Sequence, residues 1–194
     1  MHKRVKKDRN LKQTTLSYIG HNSNQDRNEN DFYETPIDAI QDLINYEKFF
    51  GNVWECSCGK GAISKPLIDN GYNVYSSDLI DRGYGDVKDF LKTNSKYDNI
   101  ITNPPFNIAT EFAIHGLNCI NNKMALLLKL SFLEGVARSK MFKNTPLKNV
   151  YVFSRRITFI NPDSGKKSHG GCMLAFAWFI WEKDYNGKPT IDWI

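Results

Sequence analysis

Three short constellations in this 194-residue chain combine residue types that do chemistry together. The first is Asn103-Pro104-Pro105-Phe106. Two successive prolines lack the backbone N–H that a strand ladder needs, so they end a strand and stiffen the loop behind it. The loop presents an aromatic residue at the carboxyl end of a sheet, where open α/β folds bind ligands. The second is Glu55-Cys56-Ser57-Cys58-Gly59-Lys60-Gly61, an acid near a strand end followed by a Gly-x-Gly turn. Such glycines let the backbone approach a ligand closely at a helix N-terminus. The full GxGxxG pattern is absent, because Ser64 stands where the third glycine would be. The third is Asp78, 19 residues after Gly59, with Asp81 as a nearby competitor. An acid about 20 residues beyond a glycine turn commonly binds the two hydroxyls of a ribose. Turn and acid together point to a nucleoside cofactor.

These groups need elements to hold them. Thr35-Pro36 opens a helix with Ile37, Ile40, Leu43 and Ile44 on one face. Val53–Ser57 reads as a short strand entering the glycine turn, with a helix over Ala62–Ile68 behind it. Asn73–Ser77 is the next strand, ended by Asp78, and Leu79–Leu91 holds at most a very short third one. Asn99–Thr102 is the strand stopped by the prolines, and a helix follows over about Ile108–Cys119. Met124–Leu130 is a core strand and Leu133–Phe142 a helix. Val150–Arg155 and Met173–Trp181 are the last two strands. The polar loop Asn161–Gly171 between them is too short for a helical crossover and predicts an antiparallel hairpin. This alternation predicts an α/β fold with a seven-stranded, mostly parallel sheet.

Composition sets the outer bounds. With 41% apolar and 13% aromatic residues, the chain can bury one sizeable core. Its longest apolar run, Cys172–Trp181, covers 10 residues, whereas a membrane helix needs about 20. No apolar stretch follows the basic opening residues as an export signal requires, so a soluble, cytoplasmic protein is expected. Four cysteines form no disulfide framework. Cys56-Ser57-Cys58 is one residue short of CxxC, and His2, His21, His115 and His169 are scattered, so no metal site is expected. Residues 1–12, with Lys3, Arg4, Lys6 and Lys7 among six cations, carry +5, which is the net charge of the whole chain. The expected organisation is a basic arm and linker over 1–30, too polar to pack alone, and a folded domain over 31–194. Such an arm often binds a polyanion.

With those residues identified, the chain resembles the S-adenosylmethionine-dependent amino-methyltransferases of DNA, N6-adenine type. Their signature is (Asp/Asn/Ser)-Pro-Pro-(Tyr/Phe/Trp), matched here by Asn103, Pro104, Pro105 and Phe106. By the same resemblance Glu55, Cys56, Ser57, Gly59 and Gly61 form the cofactor glycine motif, and Asp78 with Leu79 the ribose end. Asp89 and Phe90 resemble the pair that frames the cofactor adenine. Tyr33, Thr35 and Pro36 resemble the motif that lines its methionine end. The resemblance runs from about Asp31 to Trp181. It implies a Rossmann-like class I methyltransferase fold, S-adenosyl-L-methionine as cofactor, and a nucleic acid, DNA foremost, as partner.

The implied chemistry accounts for the residue types. An adenine amino group is a poor nucleophile because its lone pair is delocalised into the ring. The Asn103 side-chain oxygen can accept one amino hydrogen and the Pro104 carbonyl the other. That steers the lone pair towards the methyl group and stabilises the charge developing on nitrogen. Phe106 would stack on the base. Adenine in RNA, cytosine N4 and a protein glutamine all present comparable amino groups. Only about 13 residues separate Phe90 from Pro104 and 13 follow Trp181, so the sequence predicts a small, phage-like form without a target-recognition domain. Recognition then falls to the arm, to Arg138 with Lys140 and Lys143, and to the hairpin loop with Lys166 and Lys167. Lys129 reads as a strand-end lysine whose stem lies along apolar surface.

Overall fold

Successive residues of a strand point to opposite faces of its sheet, and here both faces are apolar. The computed structural model describes residues 33–160 and 174–194, all within the unit Phe32–Ile194. Five strands run parallel: β1 (Val53–Glu55), β2 (Val74–Asp78), β3 (Asp86–Val87), β4 (Tyr97–Thr102) and β5 (Ile120–Lys129). After β6 (Leu147–Val152) the chain returns as β7 (Phe176–Glu182), antiparallel to both β5 and β6. A last strand, β8 (Thr190–Trp193), lies parallel beside β6. The sheet order is β3-β2-β1-β4-β5-β7-β6-β8.

Among the described residues, four α-helices cover or flank this sheet: α1 (Ile37–Tyr46), α2 (Ser64–Asp69), α3 (Ala109–Cys119) and α4 (Val136–Lys143). Leu127 of β5 and Trp178 and Ile180 of β7 pack with Ile40 and Leu43 of α1 and Leu67 of α2. Their neighbours Leu126, Leu128, Phe179 and Trp181 pack with Phe112 and Ala113 of α3. The alternation therefore builds two cores, one on each face. On α1 the buried residues Ala39, Ile40, Leu43 and Ile44 form one apolar stripe, as helical spacing requires. Trp178 Nε1 donates to Ala39 O at 2.9 Å and fastens that helix to the sheet.

The sequence expectations hold in outline and fail in particulars. The sheet has eight strands, not seven, because Thr190–Trp193 adds an edge strand of exposed residues. The helix expected from Leu133 starts at Val136, since Leu130–Leu133 is a separate 3-10 turn. β5 begins at Ile120 rather than Met124, and β6 and β7 are each displaced from the expected ranges by up to three residues. β6 and β7 pair antiparallel as expected. Among the described residues, no helix is long and apolar enough to cross a membrane, and no group of three His, Cys, Asp or Glu could hold a metal.

Candidate active site

From β1 the chain winds outward to β2 and β3, then comes back to form β4 on the other side of β1. The strand order reverses between β1 and β4, and ligands of open α/β sheets bind beyond the strand ends at such a reversal. Both motifs sit there: the glycine turn follows β1, and the proline loop follows β4.

The glycine turn is built from backbone that other residues strain to adopt. Gly59 has φ +55° and Gly61 φ +83°, the left-handed region. A Cβ on Gly61 would lie 2.6 Å from the Tyr84 ring, so this glycine also allows a close approach. Asp78 braces the turn: its Oδ2 accepts from Gly59 N at 2.8 Å and its Oδ1 from Ile80 N at 3.0 Å. Each oxygen keeps a further lone pair for a ligand hydroxyl. Asp81 Oδ1 accepts from Gly83 N at 2.9 Å within its own loop. Leu79 is exposed beside Asp78.

Glu55 lies beneath the turn rather than in it. Only 2% of the residue is exposed. Its Oε2 accepts from Ser64 N at 2.7 Å and from Ser64 Oγ, which clamps the first residue of α2. Burial pushes this carboxyl up to about 8, helped by nearby Asp78 and opposed by the Ser64 hydrogen bonds. Burial also raises both thiols of the motif, Cys56 well above its ordinary value and Cys58 to about 12, so neither supplies a thiolate. Glu55 supports the turn from beneath through the start of α2, and Cys56 packs in the α3-side core.

Ser57 joins the two motifs. Its Oγ lies 2.6 Å from Thr102 Oγ1 and donates to Asn103 O at 3.2 Å. The Asn103 amide in turn is oriented from the N-terminal segment, where its Nδ2 donates to Thr35 Oγ1 at 3.1 Å. Thr35 is buried. It is held between a bridge from Glu34 N to Ile160 O, 2.9 Å, and the start of α1 after Pro36. Tyr33 packs against the α1-side core. Asn103 Oδ1 is buried and, among the described residues, has no hydrogen-bond partner. An acceptor in that state, beside a rigid Pro-Pro loop, fits a ligand that brings its own N–H. Phe106 is half-buried and packs on Phe176, 5.7 Å between centroids.

Other expected site residues lie deeper or are engaged by their own neighbours. The Phe90 ring is 3% exposed and lies in the core against Phe112 (4.7 Å), His115 (5.0 Å) and Trp54 (5.2 Å). Asp89 remains half-buried at the surface, its Oδ1 accepting from Leu91 N and its Oδ2 paired with Lys92 at 3.0 Å. Arg138, expected at a nucleic-acid backbone, donates from Nε to Glu134 O (2.7 Å) and Phe132 O (2.9 Å). Its guanidinium lies over Phe132 and braces the turn before α4. Lys3, Arg4, Lys6, Lys7, Lys166 and Lys167 lie outside the described residues. Two residues join the site that sequence reasoning does not place there. Tyr84 packs over the glycine turn with Lys65 on its ring at 5.1 Å, and Lys129 stands over Phe106 at 4.7 Å. Nothing local to either residue announces these contacts.

No family model and no curated protein matches the chain. Solved structures do. A Pyrococcus horikoshii protein proposed to methylate RNA superposes with a TM-score of 0.61 at 14% identity, over 89% of this chain and 97% of that one. Magnesium protoporphyrin IX methyltransferase from Synechocystis, with S-adenosylmethionine bound, superposes at 0.51 and 16%, over 76% and 78%. The fold is that of the S-adenosylmethionine-dependent methyltransferases, an α/β Rossmann-like architecture with a mostly parallel sheet.

Proposed function

We propose that this protein transfers a methyl group from S-adenosylmethionine to the exocyclic amine of a nucleic-acid base, N6 of adenine in DNA foremost. The observation that carries this reading is Asn103: a half-buried amide whose nitrogen is engaged by Thr35 and whose buried oxygen has no donor among the described residues. The cofactor supplies an electrophilic methyl group on a sulfonium. Gly59, Gly61 and Asp78 would hold it, with Asp78 taking the ribose hydroxyls and the glycines admitting its backbone contacts. Asn103 Oδ1 and the Pro104 carbonyl each accept one hydrogen of the amine. That pulls the nitrogen lone pair out of conjugation and points it away from the loop. As the N–C bond forms and the C–S bond breaks, the same two oxygens stabilise the positive charge on nitrogen. The surplus proton leaves to solvent. Positioning contributes most of the rate, and no protein nucleophile takes part.

Adenine in RNA is the second reading, favoured by the likeness to the Pyrococcus horikoshii protein. Incubating DNA and RNA with isotope-labelled cofactor and analysing the nucleosides by mass spectrometry decides between them. In that assay Asn103→Ala should lose at least about 100-fold in rate, the scale of an oriented charge-stabilising group, with cofactor affinity retained. Equal rates in variant and parent would remove Asn103 from the mechanism.

A further inference from the structure

Lys129 ends β5, and across the ladder it pairs with Phe176 of β7. Its side chain is half-buried, with the ammonium 4.7 Å from the centroid of Phe106. The other partly buried lysines on this sheet have carboxylate partners: Lys123 pairs with Glu47 and Glu182, and Lys148 with Glu182. Among the described residues, no carboxylate pairs with Lys129. Among these residues, a cation with no carboxylate partner therefore rests on the ring expected to stack against the substrate.

Electrostatics makes that placement informative. The cofactor carries a positive sulfonium, and the amine gains positive charge as it accepts the methyl group. A bare ammonium beside this centre opposes both, unless the substrate brings an anion to neutralise it. A nucleotide does so, because its phosphate is tethered to the base that enters the loop. Space for the rest of the substrate is at hand. A groove of about 500 Å³ begins at the next residue, Leu130, and is lined also by Ser131, Leu133, Glu134, Leu174 and Ala175.

We propose that Lys129 is a substrate-binding residue that takes a phosphate next to the target base, a role that rests on the nucleic-acid reading above. The aromatic ring of Phe106 holds the ammonium in place until that anion arrives. Lysine suits the task as a point charge on a flexible stem, able to meet a phosphate without a fixed approach.

The test uses the full chain and a single-stranded oligonucleotide that the parent methylates. Lys129→Met should raise KM for the oligonucleotide about tenfold and leave cofactor affinity unchanged. The slope of log affinity against log salt should fall by about 0.7, the value for one phosphate contact on a single strand. Neutral methylphosphonates are then placed, one at a time, on either side of the target base. At one of the two positions the parent should weaken by about as much as Lys129→Met does, and the variant should weaken no further. Lys129→Arg should retain most binding. If Lys129→Met is as sensitive to both methylphosphonates as the parent, the assignment is wrong while the methyl-transfer reading stands. If the parent modifies no DNA or RNA at all, the functional reading fails and this assignment falls with it.

Discussion

At Asn103 the two ends of one amide differ: its nitrogen donates to Thr35, and its oxygen has no donor among the described residues. A buried acceptor left unsatisfied costs about 1 to 3 kcal/mol, so the fold carries a local penalty that a ligand N–H would relieve. Thr35 keeps the oxygen on the ligand side, which makes it a positioning residue. Thr35→Val should let the amide turn and lower kcat about tenfold, with cofactor affinity unchanged and Thr35→Ser restoring the rate. Rapid-quench turnover and cofactor titration would check this. A drop in cofactor affinity instead would mean that Thr35 touches the cofactor itself. The proline loop is legible at this scale because two prolines leave a strand no way to continue. Its orienting partner is not, since 68 residues separate Thr35 from Asn103 and only the folded chain makes them neighbours. Arg138 shows the converse. A basic residue in a basic segment suggests a phosphate contact, yet backbone carbonyls left open by a tight turn engage it first.

Among the elements, β1 and α2 are joined through one buried acid. Glu55 on β1 accepts from the first residue of α2, and burial lifts its carboxyl from 4.5 to about 8. The folded protein therefore binds this proton more tightly than the unfolded chain. Its contribution to stability is fully present below about pH 4.5 and is lost as pH rises towards 8. The loss should be on the order of a few kcal/mol, visible as a falling Tm across that window. Glu55→Gln copies the protonated acid and should remove this slope, and parallel pH profiles for the two proteins would refute the account. Element boundaries show what local pattern misses. Asn121-Asn122-Lys123 reads as a polar loop, yet it lies inside β5. Lys123 pairs there with Glu47 (2.5 Å) and Glu182 (3.3 Å), and β4 supplies the parallel ladder. Thr190–Trp193 is not among the strands expected from the sequence; its residues are exposed, and backbone pairing with β6 makes it one.

For the molecule as a whole, net charge and architecture are separate facts. The +5 of the chain equals the charge of residues 1–12, so the rest is neutral. If the arm grips nucleic acid, deleting residues 1–12 should weaken binding. The salt slope should then fall by about 0.9 for each duplex phosphate that the arm no longer neutralises. The choice of methylated base should survive, because phosphate contacts position a protein without reading sequence. An unchanged slope would make the arm a solvated tail.

From the sequence alone the α/β class, the glycine turn, Asp78 and the proline loop could be read, because each is a local pattern with a local cause. Glycines mark backbone that other residues avoid, prolines mark the end of a ladder, and alternating apolar residues mark a sheet buried on both faces. The tertiary structure decided which of these groups meet. The strand order brings the ends of β1 and β4 together, which lets Ser57 tie one motif to the other. It also decided which side chains face the site and which lie beneath it. Phe90 and Glu55 went under, while Lys129 and Tyr84 came in. Those outcomes depend on contacts between distant segments, and spacing along one chain does not encode distance across a sheet.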